Sequence, residues 1–360
     1  MNTLLTRLNV EQLNTITEFL ETTGARLRFF DMGRRITKIP RDRFLQFERN
    51  DIPYPYPLQQ QAWFALMFQD KGNQQEPLIW FLRLPLDEQG KLLQAARDDF
   101  MHRLIERIGE KMQEDKEGDQ LETALQDNPY SFKPKEDRMA AFHARISKLL
   151  KSPPSKYFEH AQRYFAGELG WDQWSFIGYQ GIADSAARVD DTKSESTIAS
   201  AIGSMPVQPL IALCHCLENE TTSLKTTQAL LNRAQHELQQ ATPDPSVLAA
   251  LIRGCAQSTS GNLQRELIQT LLAAPSGNHI EILTALSGRA WEQLLDEPVR
   301  MLFLERLAEN SAGQEAFNLC MADLLYIPGM REPVLASVRD PKRSEKLSIA
   351  IGALFQNVTG

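Results

Sequence analysis

The chain has 360 residues, 42% hydrophobic and 24% charged, with a formal net charge of −7. This ordinary globular composition excludes a chain disordered throughout, a collagen-like fibre and a disulfide scaffold. The acidic balance argues against a protein that clasps a phosphate backbone, and the length predicts two or three packed units.

The N-terminal residues break their apolar positions with polar ones and lack the continuous core of a signal peptide. The longest apolar run, Ala62–Phe68, falls far short of the roughly 20 residues that span a bilayer. Four cysteines, Cys214, Cys216, Cys255 and Cys320, are too few for a covalent framework. A cytoplasmic protein with reduced thiols and no membrane contact is expected.

Residues 1–112 read as an α+β domain, a small sheet with helices. Val10–Glu21 has the period of a short amphipathic helix, through Leu13, Ile16, Phe19 and Leu20. Ala25–Pro40 holds two β-leaning runs joined at Asp31-Met32-Gly33, which predicts a hairpin. Pro53-Tyr54-Pro55-Tyr56-Pro57 cannot be regular helix or central strand, because proline lacks an N–H. Ala62–Phe68 and Leu78–Leu82 do not alternate, so strands buried on both faces are predicted. Leu92–Met112 restores a helical period.

Residues 113–138 change character. Lys111 to Arg138 holds five basic and eight acidic residues and few apolar ones, so a charged flexible linker is expected. Residues 139–205 read as a helical connecting region, and 206–360 as a helical repeat domain. There, similar apolar segments begin at Leu210, Leu248, Ile282 and Phe317, separated by 38, 34 and 35 residues. Each is followed by a second amphipathic segment: Leu224–Leu238, Leu263–Leu272, Val299–Leu307 and Val334–Leu354. Such recurring helix pairs predict an all-α domain ending in HEAT-like pairs, an α-solenoid, with a non-repetitive bundle as the alternative. Asp244-Pro245, Glu297-Pro298, Glu332-Pro333 and Asp340-Pro341 are expected to start helices.

Short chemical motifs are missing. No P-loop, GxGxxG or GxSxG occurs, and the six histidines are scattered. Cys214 and Cys216 diverge on a helix and do not share a metal; Cys214, Cys255 and Cys320 read as small buried hydrophobes at similar repeat positions. No catalytic residue, metal or cofactor is assigned. Two surfaces remain. Residues 26–49 hold eight basic against three acidic residues, and Arg28, Arg34, Arg35, Lys38, Arg41 and Arg43 form a candidate patch for an acidic partner. Trp171, Trp174 and Tyr179 form an aromatic candidate, with the two tryptophans on one helix face.

The strings FDMGRRITKIP, YPYPLQQQAWFALMF and GWDQWSFIGYQGIAD resemble a family of uncharacterised proteobacterial proteins along nearly the whole chain. The resemblance implies a bacterial cytosolic setting and transfers no site. The expected function is a cytosolic adaptor or scaffold for a protein partner, of open oligomeric state. The alternatives are an enzyme without short motifs, its site between the domains and including His102, and binding of nucleic acid or another acidic partner through residues 26–49. Against nucleic acid, no recognition motif accompanies that patch.

Overall fold

A computed structural model of the chain describes residues 15–22, 24–69, 77–113, 125 and 127–358. They fall into two compact units: residues up to Pro134 with Tyr326–Pro328, and Lys135–Leu325 with Gly329–Gly360.

The first unit holds α1 (Ile16–Glu21), β1 (Arg26–Asp31), β2 (Thr37–Ile39), α2 (Arg41–Glu48), β3 (Gln61–Gln69), β4 (Leu78–Pro85) and α3 (Gln94–Gln113). Residues 10–14 of the expected first helix, Leu13 among them, lie outside the described residues. The strands form one antiparallel sheet in the order β2-β1-β3-β4. Central strand β3 is buried nearly throughout, which explains its unbroken apolar run. On one face Phe44 of α2 stacks on Phe29 at 4.0 Å and meets the edge of Phe64 at 5.0 Å.

The hairpin turn is closed by a buried carboxylate. Asp31 accepts from the backbone N–H groups of Arg34 (3.0 Å) and Arg35 (3.2 Å), and from the Tyr54 hydroxyl (2.9 Å). The Arg34 side chain is fully buried, its Nε donating to the Pro57 carbonyl at 2.7 Å. The Pro-Tyr-Pro-Tyr-Pro stretch, which has few N–H groups to offer, thus supplies a carbonyl and a phenol to this turn. Arg34 and Arg35 therefore face inward, contrary to the surface patch expected of them.

Residues 128–134, expected within a flexible linker, pack instead on β4. The Arg83 N–H donates to the Tyr130 carbonyl (2.8 Å), and the Phe132 N–H to that of Phe81 (3.1 Å). The Phe132 ring meets Trp63 at 4.9 Å. Two aromatics outweigh the local charge count. Residues 114–124 and 126 lie outside the described residues.

The second unit is helical: α4 (Glu136–Leu149), α5 (Phe158–Phe165), α6 (Tyr179–Ala187), α7 (Thr192–Ile202), α8 (Val207–Leu217), α9 (Leu224–Leu238), α10 (Pro245–Gly254), α11 (Gly261–Ala273), α12 (Ile280–Arg289), α13 (Glu297–Ala308), α14 (Gly313–Tyr326), α15 (Arg331–Val338) and α16 (Glu345–Val358). No unit boundary falls at 205. From α4 to α13, helices pack on the next but one: α4 on α6, α6 on α8, α8 on α10, α10 on α12, and likewise α5 through α13. Gly254 permits one such approach, since a Cβ there would lie 3.0 Å from Cys214 Sγ.

Of the acidic-Pro pairs, Asp244 caps α10 as expected, accepting from the Ser246 N–H with Pro245 at the first position. The cap of α13 is Asp296, one residue before the expected Glu297. Glu332 lies inside α15 without capping it, and Asp340 closes a turn ahead of α16. Gly181 brings α6 against α5, where a Cβ would lie 2.5 Å from the Tyr157 carbonyl oxygen. Gly181→Ala should destabilise the helical unit by about 1–3 kcal/mol. Circular-dichroism melting checks this: a fall of several degrees is expected, and an unchanged midpoint contradicts the packing.

Candidate functional site

The apolar segments starting at Leu210, Leu248 and Ile282 become α8, α10 and α12, and each carries a basic residue in its last turn: His215, Arg253 and Arg289. The two arginines, as cations, suit the negative ends of their helices. Just beyond α8 stands Glu218, whose side chain is 2% exposed. It is held from three helices. Oε2 accepts from Arg253 Nε at 2.5 Å and lies 3.6 Å from Arg289 Nε; Oε1 meets Arg138 Nη1 of α4 at 3.2 Å. Beside it, Arg145 of α4 pairs with Glu220 at 3.4 Å and donates to the Asn219 carbonyl. Gln257 Nε2 donates to the Glu218 carbonyl at 3.0 Å, tethering the segment after α10 to that after α8.

The electrostatics follow from this enclosure. Burial pushes the Glu218 carboxyl up, but Arg289, Arg253 and Arg138 together outweigh it and hold it at about 2. Burial, then Arg253, lowers His215 to about 4, so a neutral ring faces Arg253 Nη1 at 2.8 Å. Burial pushes Glu220 up to about 7, opposed by Arg145. The Cys216 thiol is pushed up to about 12 by burial and lies 3.7 Å from the Tyr179 hydroxyl, whose own proton is held more tightly still. At neutral pH the thiol and phenol of this cluster stay protonated.

Within neither unit do the residues singled out in the sequence gather into one site. In the first unit Arg28 is half-buried in β1, and Lys38, Arg41 and Arg43 are exposed. Arg41 is paired with Glu21 and Asp42. Trp171 and Trp174 stand in a 3₁₀ turn, Trp171–Phe176. Trp171 meets the edge of Tyr164 at 5.3 Å, while Trp174 is 36% and Phe176 73% exposed. Tyr179 is the one candidate that borders the arginine cluster. His102 is exposed on α3, 3.8 Å from Glu106. All four cysteines are buried free thiols, and among the described residues no group of His, Cys, Asp and Glu could hold a metal. A cleft of about 550 Å³ between α5 and α7, lined by Phe158, Arg163, Arg188 and Lys193, also carries the acids Glu168, Asp190 and Asp191, and Arg163 pairs with Glu168.

Arg138, Arg253 and Arg289 were missed as a group. A signal existed: His215 and Arg253 stand five residues after their segment starts, and Arg289 seven.

A four-stranded antiparallel unit joined in sequence to a long helical unit, with an arginine-enclosed carboxylate in the latter, defines a two-unit α+β/all-α protein. The chain belongs to the family described as protein of unknown function (DUF3549), whose model matches residues 11–355. No curated protein and no solved structure matches it.

The depressed His215 makes a pH prediction. The folded chain resists protonating it below its ordinary 6.5, so its contribution to stability is complete above 6.5 and is lost as pH falls toward 4. His215→Gln should therefore lose less stability than the parent over that window in urea unfolding. Glu48 and Glu220, both pushed up to about 7, act oppositely and cancel in the comparison. Parallel curves contradict the neutral, half-buried ring.

Proposed function

We propose that the chain is a cytoplasmic adaptor of HEAT-like, α-solenoid type, which binds a protein partner along its stacked helices. The observation that carries this reading is the packing of each helix on the next but one from α4 to α13. That is how repeated helix pairs bury faces which none of them could bury alone. Arg253 and Arg289 in the last turns of α10 and α12 add a side-chain recurrence to the backbone one. Such stacks leave extended surfaces for binding.

One exposed feature suits a partner, an aromatic one: Tyr157 is 45%, Trp174 36% and Phe176 73% exposed. Binding through residues 26–49 loses support, because Arg34 and Arg35 serve the turn from inside. An enzymatic reading gains no specific support from the protonated thiols and phenol.

Affinity purification of the tagged full chain with mass spectrometry tests the adaptor reading. A stoichiometric partner is expected with the parent, and several-fold lower recovery with the Trp174→Ala, Phe176→Ala double variant at unchanged melting temperature. Recovery of no stoichiometric partner would contradict it.

A further inference from the structure

We infer that the helical unit pairs with a second copy of this chain through the outer face of α16, two antiparallel helices meeting at Gly352. This goes beyond the adaptor reading and does not depend on it.

α16 has two faces. Leu347, Ala350 and Ile351 are buried against the unit, where α16 packs on α13 and Gln314 Nε2 of α14 donates to the Ala350 carbonyl at 2.9 Å. The other face is apolar yet open to solvent: Ile349 is 64% and Phe355 51% exposed, and Gly352 is exposed between them. One exposed apolar residue on a helix is ordinary; two on the same side, flanking a glycine, make a patch. The glycine is a separate observation. Glycine inside a helix weakens it, and a Cβ at this position would meet no atom within 4 Å. Packing within the chain therefore gives no reason for a glycine there. A backbone approaching closely from outside does.

The spacing selects a second copy as that visitor. Ile349 and Phe355 stand three residues before and after Gly352, hence about 60° to either side of it around the helix. A two-fold axis at Gly352 maps this pattern onto itself. It sets glycine against glycine and brings Ile349 of each copy level with Phe355 of the other, the self-complementary contact of a two-fold dimer. Glu345 and Lys346 before the face and Gln356 after it are exposed, so the apolar centre has a polar rim. A second α16 also continues the layer in which α13 lies on α16, adding one more helix to the stack. A single helix pair buries less than the roughly 1,200 Å² of a standard interface, so the dimer should be weak and reversible.

Sedimentation equilibrium of the full-length protein, from about 1 μM to about 200 μM, tests this. The parent should pass from monomer to dimer across that range and grow no further. Ile349→Glu should weaken self-association by about tenfold or more. Gly352→Leu should weaken it comparably at an unchanged or higher melting temperature, because the added side chain meets nothing within the chain. Leu224→Glu, at a leucine 63% exposed on α9, should leave the dimer intact. A parent that stays monomeric throughout, growth past the dimer, or a folded Gly352→Leu variant that dimerises like the parent would overturn the inference. So would a dimer lost equally in Leu224→Glu. A monomeric parent whose Ile349→Glu variant releases a purified partner overturns self-pairing and gives the face to that partner instead.

Discussion

The helical unit is organised around one expensive group. Taking the Glu218 carboxylate out of water costs several kcal/mol, and only close opposite charge with good hydrogen bonds offsets it. Three helices supply that charge through Arg138, Arg253 and Arg289. The constraint runs both ways: the glutamate can stay ionised only if α4, α10 and α12 hold their positions around α8. A buried ion network of this kind need add little net stability. It does penalise any slip of one helix past another, since a slip strands a charge.

The same logic shapes the strand unit on a smaller scale. Asp31 is buried, yet it is satisfied by the amides of the turn it closes and by the Tyr54 hydroxyl. Arg34 is buried beside it and answered by the Pro57 carbonyl. Glu48, at the end of α2, accepts from the backbone N–H groups of Ile16 and Thr17 and so fixes the start of α1. In each case a side chain that composition would assign to the surface is drawn inward to serve backbone groups of a turn, a loop or a helix start.

Apolar patterning made much of the fold legible in the sequence. The hairpin, the doubly buried strand β3 and the paired segments from Leu210 onward follow from runs and periods of apolar residues, whereas β4, expected buried on both faces, buries only alternate side chains. What escaped was polar. Arginines at 34 and 35 look like surface charge until the carbonyl and carboxylate that hold them are known, and these lie up to 23 residues away. Tyr130 and Phe132 order a stretch whose charges read as linker. The cluster itself joins residues 80 positions apart, Arg138 to Glu218, a distance over which no local pattern speaks. Its one legible trace was the recurrence of basic residues near the ends of matching segments.

The packing of the helical unit turns on Glu218 being ionised and energetically coupled to its arginines. A double-mutant cycle of Glu218→Gln and Arg253→Gln, read by urea unfolding at pH 7, measures that coupling directly. Strong non-additivity is predicted, with a favourable interaction of at least about 1.5 kcal/mol. Two substitutions whose effects simply add, to within about 0.5 kcal/mol, would contradict it.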